Sequence, residues 1–149
     1  MAESTPQTAR TPWHLWVVGG TSLLWNCMGA MDFVMTETRN KAYLASATPA
    51  QLDYYGGFPA WAVAAWGIAV WGGVLGSLLL LLRRRVAAHV FAASLVCIAL
   101  TDLYSFVLSN GLKVTGGGAG SVIFAGVIMG IGVALLMYAR SMGRRGVLR

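Results

Sequence analysis

Apolar residues occur along this chain in four long blocks separated by short polar segments, at roughly 13–35, 59–82, 86–109 and 121–138. About 20 consecutive apolar residues suffice for a helix to cross the hydrocarbon core of a bilayer. Inside lipid every backbone N–H and C=O must bond within the protein, so each block predicts an α-helix. The ten-residue alternating segments of a membrane barrel are missing. The pattern predicts an all-α fold, an integral membrane four-helix bundle that forms a single membrane domain over residues 1–149.

The polar segments sharpen this layout. Arg83-Arg84-Arg85 leaves so little chain between the second and third blocks that they must form a tight antiparallel hairpin. The only long connection lies between the first two blocks. Within it Thr48-Pro49-Ala50-Gln51 reads as a capping box with proline at the first helical position, and Gly56-Gly57 would stop that helix after about two turns. With Leu52, Tyr54 and Tyr55 on it, this short helix is expected to lie along the outer membrane surface. Thr115-Gly116-Gly117-Gly118-Ala119-Gly120 reads as a flexible link and lacks the Lys-Ser/Thr ending of a phosphate loop. The first block follows no compact basic segment, and Asn26 breaks the lipoprotein-like Leu24-Trp25-Asn26-Cys27, so it is expected to be a retained helix.

Composition agrees with a lipid environment. The chain is 57% hydrophobic and 11% charged, with a mean hydropathy of +0.66. A soluble domain carries about a quarter charged residues, so a soluble enzyme, a disulfide scaffold and a disordered tail are all excluded. The net charge of +6 matters through its placement. Arg10, Arg83, Arg84, Arg85, Arg140, Arg144, Arg145 and Arg149 fall on one side of a four-span topology; Arg39, Lys41 and Lys113 fall on the other. Excess Lys and Arg marks the cytoplasmic side, so both termini are expected there, with anionic lipid as the partner of those arginines and no nucleic acid. Trp13 and Trp16 then mark the inner interface, and Tyr43, Tyr54, Tyr55 and Trp61 the outer one.

Packing signals are plain. Ala65, Ala69, Gly73 and Ser77 in the second block, and Gly126, Gly130 and Ala134 in the fourth, repeat every four residues, a spacing that lets helix backbones approach closely. Such stripes serve packing within one chain, or binding of a second copy or a partner helix. Cys27 and Cys97 lie in apolar runs without a CxxC neighbour and are expected to be small packing residues.

The first block also carries polar chemistry. Ser22, Trp25, Gly29, Asp32 and Thr36 share one helical face flanked by Asn26, while Leu24, Met28, Met31 and Met35 form another suited to lipid. In the third block Ser94, Cys97, Thr101, Tyr104 and Ser105 share a face with Asp102 at its margin. Both aspartates lie roughly 24–27 Å along their helices, so two acids at one depth could flank an outward-facing cleft. An acid in a membrane helix is a candidate site by default, although anchoring at the interface or bonding to Arg39, Lys41 or a threonine fits as well. Beyond the block, Thr36 to Tyr43 adds Arg39, Asn40 and Tyr43, a mixed donor and acceptor set with aromatic plates in Trp25, Tyr43 and Tyr104.

Catalytic signals are absent. No Ser-His-Asp order, HExxH or paired-carboxylate spacing is present, so the chain is not expected to be an enzyme, and neither metal nor cofactor is expected. His14 and His89 could reach a haem only as an outside alternative to solvated interfacial histidines.

Trp25-Asn26, Gly29-Ala30, Asp32, Thr36, Thr38-Arg39-Asn40, Tyr43, Phe58-Pro59-Ala60-Trp61 and Trp71-Gly72-Gly73 resemble a largely uncharacterised family of small bacterial inner-membrane proteins. Its members have four predicted spans, and some carry the label "sugar transporter". The resemblance covers about Trp16 to Asn110 and implies a multi-pass protein of the bacterial inner membrane. Two functions follow as expectations. One is a transporter of a small polar, sugar-like solute, with Trp25, Asn26, Asp32, Thr36, Arg39, Asn40, Tyr43, Asp102 and Tyr104 around a cleft between the first and third helices. The other is a structural or accessory membrane protein that binds partner helices, or a second copy, through its small-residue stripes.

Overall fold

A computed structural model describes residues 10–114 and 119–149, and the described chain is helical without strands. The expected flexible link at 115–120 falls largely on residues outside those described. Four long helices cover the four apolar blocks: α1 (Trp13–Glu37), α3 (Ala60–Leu81), α4 (Ala87–Leu103) and α6 (Ala119–Arg144). Between α1 and α3 lie a 3₁₀ turn (Tyr43–Ser46) and the short helix α2 (Pro49–Gly56). A π-helical turn (Tyr104–Leu108) extends α4, and a single turn, α5 (Gly111–Val114), follows it.

Among the described residues three helices are long and apolar enough to cross a membrane: Ala60–Leu81, Ala87–Leu108 and Ala119–Arg144. Helix α1 has the length, at 25 residues, but carries Ser22, Asn26 and Asp32 among its apolar side chains. Those groups explain its lower apolarity, and two of them are used in packing. Ser22 is buried, and its Oγ donates to the Gly19 carbonyl at 3.0 Å. Asn26 Nδ2 donates to the Ser22 carbonyl at 2.8 Å and to Ser77 Oγ of α3 at 3.1 Å, while Ser77 donates to the Gly73 carbonyl at 2.9 Å.

The small-residue stripe of α3 makes this contact feasible. Ala65, Ala69, Gly73 and Ser77 are all buried. A side chain at Gly73 would run into Asn26, and one at Gly67 would press on the Phe33 ring. The neighbouring row serves α4: Gly72 faces Ser94, Gly76 faces Phe91, and Ser94 Oγ donates across to the Ala69 carbonyl at 2.6 Å. Helix α3 therefore packs on α1 with one face and on α4 with the next. The stripe is consumed inside the chain, which removes it as a docking site for a partner helix. Helix α4 in turn packs on α6, where Leu95 and Ile98 meet Gly132.

The main core sits at the arginine-rich end. Leu15 of α1, Leu80 of α3, Phe91 of α4, Leu136 and Met142 of α6, and Val147 and Leu148 of the tail form one cluster. Here α1 and α6 also meet through His14 Nδ1 and the Tyr138 hydroxyl, 2.5 Å apart. The start of α1, the α3–α4 turn and the C-terminal residues thus share one end. His89 is exposed on α4 and does not join His14. Cys97 is half-buried, but Cys27 is exposed; it lies beside Met28 on the side of α1 that does not face α3, which corrects its expected packing role.

Candidate functional site

The opposite end of the molecule is built from the loop between α1 and α3. Helix α1 closes with Arg39 N–H donating to the Thr36 carbonyl at 3.0 Å and Asn40 N–H to the Met35 carbonyl at 3.0 Å. This crossed pair of bonds needs a left-handed residue at its corner, normally glycine. Arg39 takes that place with φ 50°. Asn40 Oδ1 then accepts from the Ala42 and Tyr43 amides, both at 3.1 Å, and folds the chain into the 3₁₀ turn.

Helix α2 starts as its residues require. Thr48 Oγ1 accepts from the Gln51 amide at 3.3 Å, and Gln51 Oε1 accepts from the Thr48 amide at 2.9 Å, with Pro49 at the first helical position. It ends at Gly56, with Gly57 as its cap. Tyr54 ties α2 to the end of α4 through its hydroxyl and Ser109 Oγ, 3.1 Å apart. Arg39 lies against Gly56, where a side chain would crowd the guanidinium.

These pieces enclose an open recess of about 740 Å³. The end of α1 contributes Thr36 and Glu37, and the turn adds Arg39, Lys41 and Leu44. Helix α2 and the residues after it contribute Leu52, Asp53, Tyr55, Gly56, Gly57 and Phe58, and α3 contributes Val63. Two carboxylates and two cations thus line one recess, beside an aromatic wall. Tyr55 stacks on Trp66 with centroids 6.2 Å apart, and Phe58 meets Tyr54 at 5.1 Å and Tyr104 at 5.0 Å. Tyr104 also meets Trp61 edge-on at 5.4 Å, so the wall is braced from α3 and α4. Burial, with the nearby charge of Asp32, pushes the Tyr55 phenol above its ordinary value and keeps it a neutral donor.

Asp32 stands beside this recess rather than in it. Its Oδ1 accepts from the Tyr43 hydroxyl at 2.7 Å. That hydrogen bond, followed by burial and the carboxylate's charge, raises the Tyr43 pKa. Tyr43 is thus the neutral partner of Asp32, a role expected of Arg39, Lys41 or a threonine.

Of the residues expected around one cleft, Thr36 and Arg39 line the recess. Tyr104 supports its aromatic wall through Phe58, and Asn40 and Asp32–Tyr43 shape the adjoining turn. Asn26 and Trp25 lie further down α1, and Asn26 is spent on Ser77. Asp102 lies elsewhere. It continues the α4 row of Leu95 and Ile98, which meets α6, whereas α1 packs on α3. The expected cleft between the first and third helices, flanked by both aspartates, is therefore replaced by a recess in the loop. Asp53, Tyr55 and Phe58 were outside the expected set. The capping box followed by Asp53-Tyr54-Tyr55-Gly56-Gly57 was their available signal, because it places an acid and two phenols on a helix that ends beside α1.

No family model matches the sequence, and neither curated proteins nor solved structures give a match. The resemblance carried by the Trp25–Tyr43 and Phe58–Gly73 residues rests on those residues alone.

Proposed function

We propose that this chain is a four-span protein of the bacterial inner membrane whose loop-end recess binds a small polar, hydroxyl-rich solute of sugar size. The arginine-rich end lies in the cytoplasm in this reading, the recess opens outward, and α2 rests at the outer interface. Helix α1, at about 37 Å by its rise per residue, is the fourth span.

The carrying observation is the recess itself. Pockets of about 300–1,000 Å³ hold small ligands. This one combines Glu37 and Asp53 as acceptors, Arg39 and Lys41 as donors, and Tyr55 and Phe58 as flat apolar surfaces. Hydroxyl groups need both donors and acceptors, and ring C–H faces lie well on aromatic plates. Paired aspartates carry no passage here, because Asp32 bonds Tyr43 while Asp102 continues the α4 row that meets α6.

Trp66 stacks on Tyr55 and so provides a reporter. Titration of purified protein with glucose, maltose and sucrose should give a saturable change in tryptophan fluorescence with at least one of them. Arg39→Gln should weaken that response roughly ten-fold, a charge-assisted hydrogen bond's worth of affinity. An unsaturable response to all three, or one unchanged by Arg39→Gln, would remove the reading.

One observation favours a second reading, an accessory protein that binds a partner helix. Gly126 and Gly130 of α6 are exposed with open space beside them, unlike the buried stripe of α3. Gly130→Leu should then abolish recovery of a defined partner while the chain still folds.

A further inference from the structure

The C-terminal residues make an unusual junction with the α3–α4 turn. Helix α3 ends with Arg83 in the left-handed region at φ 57°, its N–H donating to the Leu80 carbonyl at 3.0 Å and that of Arg84 to the Leu79 carbonyl at 2.8 Å. The tail returns alongside this turn. Arg149 N–H donates to the Arg83 carbonyl at 2.6 Å, and Arg85 N–H donates to the main-chain oxygen of Arg149 at 2.9 Å. Arg83 Nε and Arg85 Nε donate to the Val147 and Leu148 carbonyls at 3.2 and 3.0 Å. Leu148 is fully buried beneath this junction.

The backbone bonds fix three guanidinium-bearing residues around one hollow. Arg83, Arg84, Arg149 and Leu82 line a cavity of about 320 Å³. Arg83 uses its Nε on the tail, and among the described residues neither of its Nη groups has a hydrogen-bond partner, which leaves them to face an anion. Among the described residues the side-chain carboxylates are distant: Asp32, Glu37, Asp53 and Asp102 all belong to the outer ends of α1 and α4 or to the loop between α1 and α3. Arg140, Arg144 and Arg145 add further positive charge at this end. Leu82 and Val86, 68% and 57% exposed, offer an apolar flank to the hollow.

We propose that this cavity is a binding site for the phosphate of an anionic phospholipid headgroup. Guanidinium groups bind phosphate oxygens in pairs, and Arg83, held at Nε by the tail, gives up little freedom in doing so. A headgroup there would place its acyl chains along Leu82 and Val86, which a free phosphate lacks. The left-handed backbone at Arg83 agrees with this role: glycine would close the turn without strain but would leave the cavity without its pinned cation.

The test uses full-length protein in non-ionic detergent, with retained lipid counted by native mass spectrometry. Phosphatidylglycerol should stay bound and phosphatidylcholine should not. Arg84→Gln together with Arg149→Gln should weaken phosphatidylglycerol retention about thirty-fold, as the loss of two phosphate contacts near a surface would. Arg144→Gln with Arg145→Gln removes the same charge from the same end and should change retention less than two-fold. Equal loss in the two double variants would overturn the site in favour of diffuse attraction. Equal retention of phosphatidylcholine would overturn the role of headgroup charge, and displacement of the lipid by millimolar inorganic phosphate would assign the cavity to free phosphate instead. Among the described residues neither Arg84 nor Arg149 donates a side-chain hydrogen bond, so unchanged thermal unfolding of the first variant would exclude misfolding as the cause.

Discussion

The two ends of the molecule use the same local device for different purposes. Helices α1 and α3 both close on an arginine in the left-handed region, Arg39 and Arg83, where glycine is the usual choice. After Arg83 the chain enters α4 almost at once, the tail seals the turn, and a core containing fully buried Leu148 lies beneath. After Arg39 the chain spends residues 40–59 on turns and α2 before reaching α3, and a recess of about 740 Å³ remains open beside it. The difference teaches that the cap does not set the character of an end. The length of the connection does: a short one is covered by the core, and a long one leaves polar side chains around a hollow.

The largest expected effect breaks this contrast at its packed side. Leu148→Ala should lower unfolding stability by about 2–5 kcal/mol, the range for removing a buried leucine. Leu52→Ala, exposed at the recess, should change it by less than about 0.5 kcal/mol. Guanidinium or thermal unfolding in detergent reads both, and equal losses would erase the distinction between a structural and a binding end. Arg39→Gly sharpens the comparison from the other side. Relief of the left-handed conformation should raise stability by about 1 kcal/mol, while solute binding falls. A loss of both would mean that Arg39 serves packing.

Smaller effects concern the helices joining the ends. Asn26→Ala removes the α1–α3 hydrogen bond to Ser77 and should cost about 0.6 kcal/mol, the average for interhelical bonds in membranes, and no more than about 1.7 kcal/mol. The smallest is a pH effect. The Tyr43 pKa is raised above 10.0 by its bond to Asp32. Below that value the phenol is protonated in both folded and unfolded chains, and the bond contributes fully. Above it the unfolded chain loses its proton first, so stability falls as pH rises until Tyr43 itself has ionised. Phenolate absorbance should show one tyrosine titrating late, and Asp32→Asn should bring it back toward the ordinary value.

Much of this was legible in residue order. The helices follow from the apolar blocks, and α2 from Thr48, Pro49 and Gln51, because these signals are local. The two small-residue stripes looked alike in sequence yet met different fates, since burial at Gly73 depends on Asn26 arriving from another helix. Asp32 and Asp102 matched in depth along their helices, but depth says nothing about azimuth: one turns to Tyr43 and the other continues the row facing α6. The recess escaped for the same reason, as Arg39 and Asp53 converge only once α2 folds back beside α1.

The account rests on the loop-end recess as a solute site, and equilibrium dialysis of radiolabelled glucose, maltose and sucrose against purified protein tests it most directly. Saturable binding of at least one sugar, reduced about ten-fold by Asp53→Asn and untouched by Arg84→Gln at the opposite end, is the predicted result. Absence of saturable binding for all three, or equal loss from both substitutions, would contradict it.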